Sequence, residues 1–190
     1  LENYESTAKL SHDINNLVQV INIQSSENTQ EGNKKAREIV SGISDIMDST
    51  KTQRYCSNEI VNAVLFDKTS VAKEESIKII DDIILDNNTG IADFDICRVF
   101  INLLDNSINA LKNYTGDDKL LYLSCKQDND HIFIKCENKF SETIRKPEKK
   151  PELHGYGMKI VKDITEKYNG ELITQIQDTT FSTLAILKTE

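Results

Sequence analysis

Residues 98–111, RVFINLLDNSINAL, are the stretch of this sequence that decides the fold. Within and just beyond this run, asparagines recur at Asn102, Asn106, Asn109 and Asn113, a spacing of i, i+4, i+7 and i+11. On a helix this spacing aligns the carboxamides along one ridge, while the remaining positions are mostly apolar. Asparagine is a mediocre helix former, and a solvated ridge ordinarily carries Glu and Lys, so the pattern favours a ridge that faces a ligand. A carboxamide oxygen can coordinate Mg²⁺ beside phosphate oxygens.

A glycine turn follows later in the chain, at residues 154–158, and leads into an apolar helical stripe. Its glycines, Gly155 and Gly157, let the backbone approach a phosphate, and the N–H groups that begin a helix face an anion. The loop just upstream holds the densest basic patch of the chain: Arg145, Lys146, Lys149 and Lys150. This patch is interpreted either as a solvated loop or as a basic lid that neutralises a triphosphate.

Hydrophobic patterns around these motifs predict an α+β domain. Helices are predicted around residues 60–65, from an N-cap at Asp93 to about Asn113, and from about Gly157 to a stop at Asn169 and Gly170. Strands are predicted at 76–85, which is Ile-rich and expected to be buried, and at 120–126, 131–137, 172–177 and 181–188. This order predicts a two-layer α/β sandwich with a mixed, mostly antiparallel sheet.

The first part of the chain predicts a separate helical hairpin. Ile14, Leu17, Val18 and Ile21 form one apolar stripe, and a second stripe runs over residues 36–47. Because a lone pair of such helices is marginally stable, two copies are expected to pair as a dimeric four-helix bundle. We expect residues 1–54 to form this hairpin and residues 55–190 the α/β domain.

Composition narrows the possible partners and the compartment. A net charge of -8 argues against nucleic acid as the main partner, since a phosphate backbone requires clustered Lys and Arg. Cys56, Cys97, Cys125 and Cys136 show no CxxC spacing and are interpreted as reduced core residues of a cytosolic protein. No apolar run reaches the roughly 18 residues that cross a bilayer. Because the chain begins at Leu1, it is expected to be an excised fragment whose membrane part lies upstream.

His12 is the candidate nucleophile of the helical hairpin. It precedes Ile14 by two residues, about 200° round a helix, and so points away from the apolar stripe. The neighbouring Asp13 could orient the imidazole or accept its proton, which leaves the other ring nitrogen free to attack a phosphoryl group. Taken alone, His12 would be an ordinary surface histidine.

Together these segments resemble the sensor histidine kinases, whose ATP-binding domain shares the GHKL fold with DNA gyrase and MutL. Residues 11–16 resemble the phosphoacceptor box, residues 102–110 the asparagine box and residues 155–158 the glycine box. Residues 58–65, 91–97 and 154–157 are similar to the peptide-sensing kinases of the accessory-gene-regulator type.

The resemblance implies site residues and a cofactor. It implies that His12 accepts a phosphoryl group, that Asp13 acts as base or orienting group, and that Asn16 helps a water attack the phosphorylated regulator. Asn106 would be the Mg²⁺ ligand. The implied ATP contacts are Asn102, Asn106, Asn109, Asn138, Lys149, Lys150, Gly155, Tyr156, Gly157 and Met158. The sequence departs from the family where Glu137 and Asn138 replace the aspartate-glycine motif that holds adenine, although an Asn138 oxygen could accept from the adenine amino group.

The implied function is the cytoplasmic core of a two-component kinase. Such a core would be a homodimer, use Mg-ATP to phosphorylate His12, pass the phosphoryl group to a response regulator aspartate, and meet a membrane only through an upstream segment. Alternative hypotheses are a GHKL ATPase, a phosphotransfer or scaffold module without kinase activity, and a serine kinase that acts on anti-sigma partners. The ATPase is disfavoured because Asn102 stands where those enzymes use a carboxylate base, and the serine kinase because of the His12 helix.

Overall fold

The computed structural model describes residues 54–141 and 156–189, which form one α/β domain. In chain order its elements are α1 (Glu59–Glu74), β1 (Lys78–Ile84), α2 (Asp93–Lys112), β2 (Leu120–Gln127), β3 (His131–Lys139), α3 (Tyr156–Lys167), β4 (Glu171–Gln177) and β5 (Thr180–Lys188). The predicted elements of this domain are therefore confirmed. The predicted hairpin with His12, Asp13 and Asn16, and the loop with Lys149, Lys150 and Gly155, lie outside the described residues.

The five strands of the described domain form one mixed sheet in the order β1-β2-β3-β5-β4. β1 runs parallel to β2, and the other neighbouring strands are antiparallel. The helices α1, α2 and α3 pack on the sheet, and α2 also packs against both other helices. Fully buried side chains such as Phe100, Leu104 and Leu121 fill the space between the layers. This two-layer arrangement is the one predicted from the sequence.

Local sequence signals set the ends of these elements. Asn58 caps α1, because its Oδ1 accepts the N–H of Val61 at 3.0 Å. The β2–β3 turn is held by Asp128, whose Oδ1 accepts the N–H groups of Asp130 (3.0 Å) and His131 (2.7 Å). After α3, Asn169 takes a positive φ of 49°. Gly170 follows, where a Cβ would lie 1.9 Å from the Ile186 carbonyl oxygen, so only glycine fits.

Two local predictions were wrong. The first strand is not buried, because β1 is an edge strand whose residues are exposed except for the half-buried Ile79 and Ile83, and Ile84 is 61% exposed. Within the predicted range 76–85, the buried residues are Ile77 and Leu85, which lie just outside the strand. Asp93 is not the N-cap of α2 but its first helical residue, and Ala92 occupies the cap position without a side-chain hydrogen bond.

All four cysteines are free and buried, as the sequence predicted. Cys97 lies on α2, Cys125 on β2 and Cys136 on β3, where they act as small core side chains. In the described part of the chain, no helix combines the length and apolar character that a membrane span requires.

Candidate functional site

The asparagine ridge of α2 is partly covered at its first half and open at its second. Asn102 and Asn106 are half-buried, whereas Asn109 and Asn113 are exposed. The Nδ2 of Asn102 donates to the Arg98 carbonyl at 2.7 Å, one turn earlier on the same helix. This bond orients the carboxamide, so that its Oδ1 faces the start of α3. The section around Asn102 and Asn106 is therefore partly covered, whereas the predicted ligand contact of Asn109 would lie on an open surface.

The glycine turn meets this ridge directly. A Cβ built on Gly157 would lie 2.6 Å from Asn102 Oδ1, closer than ordinary van der Waals contact permits. Glycine thus lets α3 begin against the carboxamide without a shift of the Asn102 side chain. Met158 is 4% exposed and anchors the first turn in the core, whereas Tyr156 is 72% exposed. Two motifs that lie 55 residues apart in the sequence, Asn102 and Gly157, therefore form one surface.

Asn138 supplies an unpaired acceptor. It lies near the end of β3 and is 2% exposed, and its Nδ2 donates to the Lys139 carbonyl at 3.0 Å. Its Oδ1 is buried and has no hydrogen-bond partner among the described residues. A buried acceptor without a partner costs about 1–3 kcal/mol, so it calls for an explanation. A ligand amino group would satisfy this oxygen.

A hydrogen-bond network joins the β3 end to the C-terminal end of the ridge. The Asp118 carboxylate accepts from the Tyr114 hydroxyl at 3.0 Å and forms an ion pair with Lys139. The Lys139 ammonium and the Tyr114 hydroxyl hold the pKa of the Asp118 carboxyl below its usual value. Ser141 Oγ accepts from the Thr115 N–H and donates to the Asn113 carbonyl, both at 3.3 Å. These contacts tie the end of β3, next to Asn138, to the C-terminal end of α2.

On the flank of the ridge, α1 is tied to α2 by an ion pair. Lys68 is mostly buried, and its Nζ lies 2.7 Å from Asp105 Oδ1, next to Asn106 in the chain. The same Nζ lies 3.7 Å from the carboxylate of Asp67. Burial raises the pKa of the Asp67 carboxyl, and the Lys68 charge opposes that shift. The ion pair between Lys68 and Asp105 holds the turn of α2 on which Asn106 lies.

One buried contact between α2 and the end of α3 has no counterpart among the sequence predictions. Asp95 is 3% exposed and accepts hydrogen bonds from Lys167 and Tyr168. A charged residue in the first turn of a helix is common and usually solvated. The residue type of Asp95 therefore did not indicate a buried contact. The partners are more than 70 residues away in the sequence. No pattern within a single helix reveals such a pair.

The donor set suits a metal that keeps phosphate and water ligands. Within residues 54–141 and 156–189, no group of three or more His, Cys, Asp or Glu side chains is arranged to hold a metal ion. Mg²⁺ usually keeps several waters and binds few protein side chains together with substrate phosphates, and the half-buried Asn106 carboxamide could supply one such oxygen ligand. The role of Asn106 as a metal ligand stays a prediction.

The comparison with family models decides the fold family. Residues 91–187, more than half of the chain, match the GHKL domain. The chain belongs to the GHKL domain family. The matched range begins two residues before α2 and ends one residue before the end of β5, so it spans Asn102, Asn106, Asn138 and Gly157. No curated protein sequence matches the chain.

Solved structures of histidine kinases share the fold of this GHKL protein. The nucleotide-free catalytic domain of histidine kinase ThkA is 15% identical, with a TM-score of 0.53 over 69% of this chain and 90% of that domain. Another nucleotide-free form of it is 17% identical, with a TM-score of 0.51 over 69% and 92%. A histidine kinase from Burkholderia phymatum is 11% identical, with a TM-score of 0.54 over 96% of this chain and 94% of the other. At these identities the likeness is one of fold.

Proposed function

We propose that this chain is the catalytic core of a sensor histidine kinase that binds Mg-ATP and phosphorylates itself on His12. The observation that carries the proposal is the contact between Gly157 and Asn102, which joins a helix N-terminus to a ridge of carboxamides. A helix N-terminus offers N–H groups and a positive dipole end to an anion. The carboxamides beside it add oxygen ligands without adding negative charge that would repel a triphosphate.

Each described residue has a separate task in this proposal. The Asn138 Oδ1 accepts from the amino group of the adenine base, which satisfies its buried lone pairs. Asn106 provides the protein ligand for Mg²⁺, and Asn102 lies one turn earlier, beside the phosphates. When bound, Mg²⁺ neutralises charge that develops on the phosphate oxygens. The N–H groups at the start of α3 hold the phosphates against the ridge, and Lys149 and Lys150 are proposed to cover them.

The proposed transfer requires His12 to reach the end of the triphosphate. A ring nitrogen of His12 forms a bond to the γ-phosphorus, the bond from that phosphorus to the bridging oxygen breaks, and ADP leaves. The ring proton passes to Asp13 or to solvent. A response regulator aspartate then accepts the phosphoryl group, with Asn16 at the step that removes it by water. We further propose a homodimeric, cytoplasmic core of the peptide-sensing type, in which Asn138 replaces the usual aspartate.

A labelling experiment tests this function. The purified chain is incubated with γ-labelled ATP and Mg²⁺, and the label on the protein is expected to be labile in acid and stable in base. His12→Gln should abolish the label because the nucleophile is gone, and Asn106→Ala should weaken nucleotide binding because the metal ligand is lost. Label that survives in His12→Gln refutes the assigned acceptor. ATP hydrolysis without protein label favours the ATPase instead.

Asn138→Leu is expected to stabilise the protein and weaken its binding of ATP. The substitution removes a buried oxygen without a partner among the described residues, a gain of about 1–3 kcal/mol, and it also removes the Nδ2 bond to the Lys139 carbonyl, a loss of about 1 kcal/mol. The free energy of unfolding should therefore rise by about 1 kcal/mol. It also removes the acceptor for the adenine amino group, which should weaken ATP binding about fivefold, the value of one ordinary hydrogen bond. Thermal unfolding without ligand and calorimetric titration with Mg-ATP measure the two effects.

Asn58→Leu is the matched control for this prediction. Asn58 is also 2% exposed, but its Oδ1 accepts from Val61 and its Nδ2 donates to the Asp86 carbonyl at 3.3 Å. Its replacement should therefore lower the free energy of unfolding by about 1–3 kcal/mol. If Asn138→Leu destabilises the ligand-free protein as much as Asn58→Leu does, the Asn138 oxygen is not an unmet acceptor.

A further inference from the structure

A buried carboxylate joins α2 and α3 at the end remote from the glycine turn. Asp95, in the first turn of α2, accepts from Lys167 Nζ at 2.7 Å and from the Tyr168 hydroxyl at 2.8 Å, both through Oδ2. The Tyr168 oxygen in turn accepts the Ala92 N–H at 3.1 Å. We call Asp95, Lys167 and Tyr168 the Asp95 latch. It ties the last residue of α3, and the one after it, to the start of α2.

The charges of the Asp95 latch suit their positions. A carboxylate is favourable at a helix N-terminus and an ammonium at a helix C-terminus. In the latch, Asp95 lies at the N-terminus of α2 and Lys167 at the C-terminus of α3. The Asp95 side chain is 4% exposed, while that of Lys167 is 42% exposed. Because the shared acceptor is shielded from water, its charge-assisted bonds are stronger and more directional than those of a surface ion pair.

The latch and the glycine turn lie at opposite ends of one helix pair. Asp95 contacts Lys167, and farther along α2 Asn102 contacts Gly157, so the two helices run antiparallel. Apolar contacts of Met158, Val161 and Ile164 hold α3 on the core, but such contacts are not directional. At its own end Gly157 has no side chain that could lock its position. The directional bonds of the latch are therefore what can fix how far α3 lies along α2.

We propose that Asp95 is a positioning residue, which through Lys167 and Tyr168 sets the register of α3 on α2 and so holds Gly157 against Asn102. The inference rests on the proposed function, since nucleotide binding is what that contact would serve. A helix is stiff over three turns, so a displacement at Lys167 is carried to Gly157. The two helices approach closely at Gly157, where an added Cβ would lie only 2.6 Å from Asn102 Oδ1, so a displacement of α3 changes this contact directly.

The test uses the whole chain with two variants that keep most of the side-chain volume. Lys167→Gln removes the ammonium bond to Asp95, and Tyr168→Phe removes the bond to Asp95 together with the one from the Ala92 N–H. Lys162→Gln is the matched control, since it removes a lysine of α3 whose partner Glu166 lies 3.6 Å away at the exposed surface. The first readout is the NMR signals of the Gly157 amide and the Asn102 side-chain amide without nucleotide. The second is the affinity for Mg-ATP, and the third is the midpoint of thermal unfolding.

Each latch variant is expected to shift both NMR signals and to weaken Mg-ATP binding about fivefold, the value of one hydrogen bond. The Lys162→Gln control should leave the signals and the affinity at wild-type values. A lower unfolding midpoint with unchanged signals and affinity would mean that the latch is merely structural and would overturn the proposal. Shifted NMR signals with an unchanged affinity for Mg-ATP would also overturn the proposal. If the signals shift but wild-type protein binds no nucleotide, the positioning stands and the proposed function fails.

Discussion

Gly157→Ala is expected to reduce the rate of autophosphorylation about 100-fold, the scale seen when reacting groups are displaced by about 1 Å. The added methyl would lie 2.6 Å from Asn102 Oδ1, so either the carboxamide rotates or α3 moves away. Rotation breaks the 2.7 Å bond from Asn102 to the Arg98 carbonyl, and movement opens the phosphate surface. Both responses remove the arrangement on which the proposed function depends. Initial rates of labelling by γ-labelled ATP measure the effect.

A double-mutant cycle of unfolding free energies at Gly157 and Asn102 tests whether the clash between them causes this effect. In the Asn102→Ala background the methyl meets no carboxamide, so Gly157→Ala should stabilise the protein by about 1 kcal/mol, the ordinary gain of Ala over Gly in a helix. In the wild-type background a clash of about 1–3 kcal/mol opposes that gain, so the same change should be neutral or destabilising. The coupling between the two positions should thus exceed about 1 kcal/mol. Additive effects would show that Gly157 and Asn102 are not in contact.

In the folded protein, Cys97, Cys125 and Cys136 are expected to resist alkylation by about three orders of magnitude, and Cys56 by about two. Burial raises the pKa of Cys97, Cys125 and Cys136 from 9.0 to about 12, and that of Cys56 to about 11. Because the thiolate is the reactive form, a rise of about 3 units lowers its fraction at neutral pH about 1000-fold. Time-resolved mass spectrometry with iodoacetamide, with and without denaturant, measures this protection. Cys56 should react first, and Cys97 reacting at the denatured rate would contradict the buried core.

The same shifts predict that stability falls at high pH. A thiol whose pKa is higher in the folded than in the unfolded chain stabilises the fold fully below pH 9, and this contribution is lost as pH rises towards 12. In that window each such thiol should lower the free energy of unfolding by about 1.4 kcal/mol per pH unit. Chemical unfolding between pH 8 and pH 11 measures the slope. Cys97→Ala should make this slope less steep by the contribution of one thiol.

Much of the domain was predictable because its signals are local. The helix from residue 93 follows from apolar residues at helical spacing, and the β2–β3 hairpin follows from Asp128 and its turn. The asparagine ridge and the glycine turn were likewise visible as spacing and residue type. Where a prediction was wrong, the neighbours decided the outcome. β1 is exposed because it lies at the sheet edge, which depends on strand order and not on its own composition.

By itself, the sequence determined which residues could share a helix face, which segments were strands and which side chains carried suitable chemistry. Tertiary structure decided that Gly157 lies against Asn102, that the Asn138 oxygen is left without a partner among the described residues, and that Asp95 joins Lys167 and Tyr168. The physical reason is that periodicity reports contacts within one helix or strand. Contacts between elements depend on the packing of the whole core, which no single segment encodes.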